Sequence, residues 1–164
     1  MQKIKLFNKN NFYILKTEQI VNSKIEDVWE YFTNIKNLEK IMPKKYKTKV
    51  TIGRRRQLYI GKLFNIKMKI LPFVYSNITS EIKAVEKNKY FIDSQIFGPY
   101  KIWHHEHHFI VNEDKSVKIV DIVRYKLKGI PFMKILHKLF IKKEIIKTFN
   151  HRANKINYIF QNHS

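Results

Sequence analysis

Four of the seven histidines lie in one short stretch, His104 to His108. The stretch follows a Gly98-Pro99 turn signal and has the pattern of an extended strand, in which successive side chains point to opposite faces. Two imidazoles between two large aromatics suit neither a plain core nor a plain solvent face. We interpret the face as the wall of a mostly apolar pocket with a few polar groups that orient a ligand. Its members are Trp103, His105, His107 and Phe109.

A second alternating segment offers partners for this wall. Ser116 to Leu127 places Asp121 and Tyr125 on one face. If the two strands are antiparallel neighbours, an aspartate beside a buried histidine would raise the histidine pKa and provide an acid–base pair. Three interpretations stay open: a hydrogen-bonded cluster that fixes strand register, a set of groups that orient a ligand, or a catalytic pair. We predict no particular catalytic residue, and the ligand-binding candidates are Trp103, His105, His107, Asp121 and Tyr125.

The histidines also raise the question of a metal. His105 and His107 are two residues apart on one strand, and Asp121 could be a third ligand. Neither this set nor the one on the opposite face has a distinct second shell visible in the sequence. We therefore expect no metal and no cofactor. Four glycines leave no glycine-rich phosphate loop. The set on the opposite face is His104, Glu106 and His108.

Size and strand parity add further candidates for the lining of the pocket. Each of them would also serve as an ordinary core side chain. We predict ligand binding by Tyr59, Gln95 and Phe97, and Phe73 and Tyr75 are candidates of the same kind.

The elements that must position these residues begin with one strand and two short helices. Asn10 to Val21 alternates loosely and predicts the strand. Ser23 and Glu26 are spaced as a capping box, which predicts that a helix begins there. A second short helix is expected to end before Pro43.

From Gln57 to Leu127 the hydrophobic period is close to two and short polar turns follow one another, which predicts an antiparallel meander. We interpret Leu58 to Ile70 as a hairpin with either its turn or a bulge near Gly61. Beyond Pro131 the period becomes helical, and an apolar stripe from Phe132 to Phe160 predicts a long helix that lies against the sheet. The remaining predicted strands are Tyr75 to Ala84, Tyr90 to Phe97, Tyr100 to Val111 and Ser116 to Leu127.

Composition bounds the class of protein. A chain of 164 residues with 44% hydrophobic residues is expected to form one globular domain, residues 1–164. The absence of cysteine excludes disulfides, thiolate metal sites and a cysteine nucleophile. No apolar run approaches the roughly 18–20 residues of a membrane span, and no signal-peptide pattern opens the chain, so we expect a cytoplasmic protein.

The formal net charge of +20 is the most unusual property of the composition. It allows non-specific binding of a polyanion, either RNA or an anionic membrane, through the basic surface. Only five of the 33 basic residues are arginine, the residue suited to bidentate phosphate and base recognition. This ratio weakens the case for a specific nucleic-acid site.

Five segments together resemble a known superfamily. The order of strand, two short helices, antiparallel strands and long C-terminal helix accompanies them. On these segments the chain resembles the START-like, Bet v 1-like (SRPBCC) superfamily, and is most similar to its bacterial polyketide cyclase/dehydrase-like ligand-binding proteins. The segments are Ser23 to Leu38, Phe91 to Gln95, Gly98 to His105, Asp121 to Tyr125 and His137 to Phe140.

The resemblance implies an α+β helix-grip fold. Its curved antiparallel sheet of about six to seven strands would wrap around the C-terminal helix, with two short helices after the first strand and a cavity between sheet and helix. Members of the superfamily bind lipids, sterols, polyketides or other apolar molecules; some are enzymes, others carriers, and one branch is a ribosome-associated toxin family.

We predict binding of a small hydrophobic or amphipathic ligand, such as a lipid, a polyketide or an aromatic metabolite, in this cavity. The alternatives are a cyclase or dehydratase that uses the His/Asp cluster, and a basic module that binds ribosome, RNA or a membrane surface.

Overall fold

The computed structural model describes residues 3–53, 57–71, 74–129 and 132–161. The strands in this part of the chain form one antiparallel sheet in the order β1-β2-β8-β7-β6-β5-β4-β3. Their bounds are β1 Lys3–Lys9, β2 Phe12–Val21, β3 Lys49–Ile52, β4 Leu63–Leu71, β5 Val74–Glu86, β6 Tyr90–Phe97, β7 Ile102–Val111 and β8 Val117–Lys126.

An N-terminal hairpin adds an edge strand that was not predicted from the sequence. β1 pairs with β2 through a two-residue turn, in which Asn10 and Asn11 have φ of 51° and 61°. Asparagine tolerates this left-handed conformation, and two such residues in succession match the right-handed twist of the flanking strands. The sheet therefore has eight described strands, and two of them precede the first helix.

The interpretation of Leu58 to Ile70 as a hairpin is wrong. Gly61 does lie in a turn, but this turn leads into β4 rather than joining two strands that pair with each other. β4 pairs with β3 on one side and with β5 on the other. Alternation alone could not choose the partner, because any neighbouring amphipathic strand satisfies the same pattern.

Two short helices follow β2, as predicted. The helix α1 spans Ile25–Thr33, a 3₁₀ turn spans Ile35–Asn37, and α2 spans Leu38–Ile41. The predicted capping box is wrong, because Lys24 occupies the N-cap position and no side chain caps the helix. A second 3₁₀ turn, Lys44–Tyr46, leads into β3.

The C-terminal helix is continuous but changes its winding. It comprises α3 (Met133–Leu136), a π-helical turn (His137–Ile141) and α4 (Lys142–Gln161). The buried residues of α4, which include Ile145, Phe149 and Ile156, recur at helical spacing and contribute to the hydrophobic core. The helix-grip fold predicted from the sequence is thereby confirmed.

Bulges interrupt the pairing between β5 and β6. The register between β5 and β6 shifts at Thr79/Ser80 and again at Ile82/Ala84. Such bulges bend a strand and increase its twist. The bend leaves a concave face that the C-terminal helix spans. No described helix is long and apolar enough to cross a membrane.

The turn between β6 and β7 depends on a glycine. Gly98 has φ of 156°, and a Cβ there would lie 2.3 Å from Oε1 and 2.6 Å from Cδ of Gln95. The Gln95 amide donates a hydrogen bond of 2.8 Å to the carbonyl of Tyr100, which holds the turn. We expect Gly98→Ala to displace Gln95 and to lower the free energy of unfolding by about 2 kcal/mol, measured by urea denaturation.

The matched control is Gly129→Ala, because a Cβ built at Gly129 meets no described residue within 4 Å apart from its chain neighbours. This variant should change the free energy of unfolding by less than about 0.5 kcal/mol. Equal stabilities of the two variants would contradict the role of Gly98.

Candidate functional site

A cavity of about 510 Å³ lies between the concave face of the sheet and the C-terminal helix. The helices α1 and α2, the strands β4 to β7 and the C-terminal helix all contribute to its wall. The lining is mostly apolar, and its volume falls within the roughly 300–1,000 Å³ of small-molecule sites. Representative lining residues are Phe32, Ile66, Ile78, Phe91, Trp103 and Phe149.

The polar part of the wall is built across three central strands. The register places Asp93 on β6 opposite His105 on β7, and Asp121 on β8 opposite His107. All four side chains are buried and point to the concave face. From the sequence, Asp121 was expected near the two histidines only if their strands are antiparallel neighbours. The antiparallel pairing of β7 with β8 shows that they are.

The two imidazoles lie side by side between the two carboxylates. Their ring centroids are 3.8 Å apart. Nε2 of His105 lies 3.0 Å from Oδ1 of Asp121, and Nε2 of His107 lies 3.2 Å from Oδ2 of Asp93. Nδ1 of His107 also lies 2.9 Å from Oδ1 of Asp121, in a direction that is poor for a hydrogen bond. Thr17 donates a further hydrogen bond of 3.3 Å to Asp121.

The surroundings shift the pKa values of the two histidines in opposite directions. Burial disfavours the imidazolium of His105, and the neighbouring His107 adds repulsion, so the pKa of His105 falls to about 4. Burial acts on His107 in the same sense, but its contacts with Asp121 and Asp93 outweigh burial and raise its pKa. Burial would raise the pKa of Asp121, yet the contacts with both imidazoles hold it well below its usual range.

The geometry also fixes the tautomer of His105. A carboxylate can only accept, so the Nε2 atom of His105 carries the proton that it donates to Asp121. Its Nδ1 then keeps a lone pair, which lies 4.0 Å from Oδ2 of Asp93, beyond hydrogen-bond distance. The cluster therefore combines a neutral imidazole with a free lone pair and, beside it, an imidazole that favours its cationic form.

Aromatic side chains flank this cluster on both sides. The ring of His107 stacks on Phe91 at 4.1 Å, and His105 meets the ring of Phe149 at 5.8 Å. Trp103 lies 4.8 Å from the ring of Tyr100 in the same wall. The two imidazoles of the cluster are thereby framed by aromatic rings.

Tyr125 lies behind the wall rather than on it. It is fully buried, and its hydroxyl lies 2.7 Å from Nε2 of His137, the first residue of the π-helical turn. The ring of His137 also stacks on Tyr13 at 3.8 Å. Burial raises the pKa of Tyr125. This contact ties the C-terminal helix to β8 and β2.

The structure separates the predicted ligand-binding residues into three groups. Four line the cavity, namely Trp103, His105, His107 and Gln95. Asp121 and Tyr125 lie directly behind the lining and contact it. Tyr59 and Phe97 lie away from the cavity with 44% and 65% of their surface exposed, as does Tyr75, and Phe73 lies outside the described residues.

Asp93, Tyr31 and Arg152 are among the polar residues of the cavity wall that were not predicted. Asp93 lies in the strand motif Phe91 to Gln95, and its inward parity with Gln95 was a usable signal. Tyr31 and Arg152 line the cavity from α1 and α4. Neither could be distinguished from ordinary helix residues without knowing which faces of the two helices meet the sheet.

The residues that could hold a metal ion differ from the set suggested by the sequence, because Asp93 takes the place of Asp121. Asp93, His105 and His107 each offer a ligand atom, and these atoms lie within 4.8 Å of one another. The observed contacts among them are those of a hydrogen-bonded cluster. On the outer face, Glu106 contacts His108 at 2.9 Å and also pairs with Arg124.

Comparisons with known proteins identify the fold. No protein-family model matches the chain, and no curated protein matches it. Among solved structures, an aromatase/cyclase from a Streptomyces species is 10% identical with a TM-score of 0.74, covering 92% of this chain and 94% of that chain. A START superfamily protein from Mycobacterium smegmatis is 11% identical with a TM-score of 0.69, covering 92% and 99%. The major latex-like protein 151 from Panax ginseng is 11% identical with a TM-score of 0.66, also covering 92% and 99%.

These similarities define the class of fold. The chain has the START-like, Bet v 1-like helix-grip fold that its sequence motifs resemble, over more than nine-tenths of its length. At such low identity the comparison speaks to architecture alone.

His105 and His107 should have well-separated pKa values. We expect NMR titration to show His105 neutral down to about pH 4 and His107 protonated above the usual value of about 6.5. The depressed pKa of His105 makes stability fall as the pH drops from about 6.5 to 4, since only the unfolded chain then binds its proton. The raised pKa of His107 contributes stability that is complete below about pH 6.5 and is lost as the pH rises through its folded value.

The variant Asp121→Asn tests whether Asp121 is a cause of the raised pKa of His107. It removes a buried charge partner, so the pKa of His107 should fall and the free energy of unfolding should drop by about 3 kcal/mol. The control Asp27→Asn alters an exposed carboxylate and should cost less than about 1 kcal/mol. Two histidines that both titrate near 6.5 would refute the assignment.

Proposed function

We propose that this protein binds a small hydrophobic or amphipathic molecule in the cavity between the sheet and the C-terminal helix. The observation that carries the proposal is the cavity itself, with about 510 Å³ of space inside a mostly apolar wall. Burial of apolar ligand surface there supplies the driving force for binding. The polar band of His105, His107 and Gln95 would orient polar atoms of the ligand.

The structural neighbours support the proposal at the level of the fold. They include an aromatase/cyclase and a START superfamily protein. We propose that the ligand is a lipid, a polyketide or an aromatic metabolite. The predicted contact of the basic surface with RNA or an anionic membrane stays a prediction, as do the single domain and the cytoplasmic location.

A variant that fills the cavity tests ligand binding. Ile78 lines the cavity from β5 and is partly buried, so Ile78→Trp should occupy ligand space. We expect it to weaken the binding of N-phenyl-1-naphthylamine, a neutral apolar fluorophore, by about tenfold or more, because the same volume cannot hold both groups. Fluorescence titration measures the affinity.

The matched control is Ile96→Trp, which places the same side chain at a position that is 54% exposed and away from the cavity. It should leave the affinity within about twofold of wild type. In parallel, a saturating ligand should raise the melting temperature of the wild type, by linkage worth about 2.7 kcal/mol at 100 times the Kd. Fluorophore binding that is equal in both variants would place the binding elsewhere on the protein.

A second candidate function is proton transfer to and from the bound molecule. The observation that favours it is the pairing of a neutral His105, with a free Nδ1 lone pair, and a cationic-leaning His107 in the same cavity wall. In a dehydration, Nδ1 of His105 would take a proton from the carbon next to a carbonyl and return it to the hydroxyl that departs from the adjacent carbon, while the cationic form of His107 would stabilise the negative charge that develops on the carbonyl oxygen. The products are the unsaturated carbonyl compound and water.

Deuterium exchange tests this second function with a general carbonyl probe in place of the substrate. With 2-tetralone as the probe in heavy water, the wild type should accelerate exchange at the carbon next to the carbonyl by about 10²-fold or more. His105→Gln keeps a polar side chain but removes the base, and should abolish the acceleration. Exchange at the uncatalysed rate with the wild type, despite binding of the probe, would leave binding as the function.

A further inference from the structure

Arg152 is a buried cation in the wall of the cavity. It projects from α4, and only 8% of its surface is exposed. Its Nε atom is buried and has no hydrogen-bond partner among the described residues. Its guanidinium instead lies 4.8 Å from the ring of Phe149, one helical turn earlier.

The carboxylates of the cavity wall are already engaged. Within the described part of the chain they are Asp93 and Glu144. Asp93 contacts the two histidines, and Glu144 pairs with Lys45 and accepts a hydrogen bond of 2.9 Å from Tyr46. Burial of a charge without a counter-ion costs several kcal/mol. The free-energy cost of burying the Arg152 charge would be offset if an acidic ligand in the cavity supplied the counter-ion.

Tyr31 provides a second donor in the wall of the same space. Its ring lines the cavity from α1, and its phenolic oxygen is buried without a hydrogen-bond partner among the described residues. Burial raises the pKa of this phenol, and Arg152 is near enough for its charge to oppose that rise. Tyr31 and Arg152 therefore both line the cavity, and each has a buried polar atom that lacks a hydrogen-bond partner in the described part of the chain.

We propose that Arg152 and Tyr31 form a subsite for the acidic head group of the ligand, so that the cavity takes amphipathic acids, above all carboxylates. The guanidinium fork suits bidentate contact with a carboxylate, and the Tyr31 hydroxyl donates to the same group. The apolar body of the ligand lies along the aromatic and aliphatic wall. Phe149 separates the subsite from the His/Asp cluster, since its ring contacts both Arg152 and His105.

The choice of arginine strengthens this assignment. The chain has 33 basic residues of which only five are arginine, so a lysine would be the ordinary choice for a cation without a special role. Arginine is also more weakly hydrated than lysine and stays charged when buried. The other lysine or arginine that lines the cavity within the described residues, Lys128, is exposed.

This inference rests on the proposed ligand binding, and a displacement assay separates the two. N-phenyl-1-naphthylamine carries no acid and reports occupation of the cavity. Lauric acid and lauryl alcohol, which differ only in the head group, then compete for it. We expect the wild type to prefer the acid by about 10- to 100-fold, the range of charge-assisted hydrogen bonds.

Substitutions assign the preference to the subsite. Arg152→Met keeps the length and removes the charge, and should bring acid and alcohol to within about threefold of each other. Arg152→Lys should retain part of the preference, and Tyr31→Phe should lower the affinity for the acid about threefold to tenfold while leaving that for the alcohol unchanged. Lys128→Met tests the competing explanation, attraction of the acid to an exposed cation, and should keep the full preference.

A stability measurement guards against a merely structural role. Because no carboxylate of the described residues pairs with Arg152, Arg152→Met should melt at the same temperature as the wild type or higher without ligand. A lower melting temperature would show that Arg152 supports the fold, and would overturn the proposal. Displacement by acid and alcohol with equal affinity in the wild type would overturn it too, while the ligand-binding function stands. Failure of the fluorophore to bind at all would remove both.

Discussion

The pairing of two carboxylates with two imidazoles across β6, β7 and β8 is the constraint on which the site depends. Each of these groups is costly to bury alone, and together they satisfy one another. The arrangement exists in one register only. A slip of β7 by one residue would turn His105 and His107 to the outer face and bring Glu106 to the inner face, beside the carboxylates of Asp93 and Asp121. The cluster therefore specifies the alignment of the three strands that form the floor of the cavity.

The same alignment divides the interior into a packed part and an open part. Beside the cluster, Leu15, Val123 and Tyr125 close the core beneath the C-terminal helix. The hydrogen bond between Tyr125 and His137 fixes the start of the π-helical turn, where the helix changes its winding before it crosses the cavity. A π turn within an α-helix is rare and is frequent at functional sites. The helix is thus anchored at one end while its middle spans an unfilled space.

Charge is distributed very differently outside and inside this protein. The surface carries most of the +20, and lysine predominates, which favours solubility and non-specific contact with polyanions. The cavity wall contains few charges, and of the arginine and lysine residues that line it within the described part of the chain, Arg152 is the one with a buried nitrogen that lacks a hydrogen-bond partner. The positive charge of the surface would attract an acidic ligand, and the buried guanidinium of Arg152 would then select it over a neutral one. Attraction and selectivity would in this way come from different residues.

The sequence by itself determined the class of fold and the pocket-facing side of one strand. Alternation placed Trp103, His105 and His107 on a common face, and the helical stripe after Pro131 required a long helix against a sheet. These are local properties, set by the period of side chains along the chain. The partners of those side chains depended on tertiary structure, because strand pairing and helix orientation join residues that are distant in sequence. Asp93 opposite His105, Tyr59 and Phe97 away from the cavity, and Arg152 with Tyr31 at its wall were decided only there.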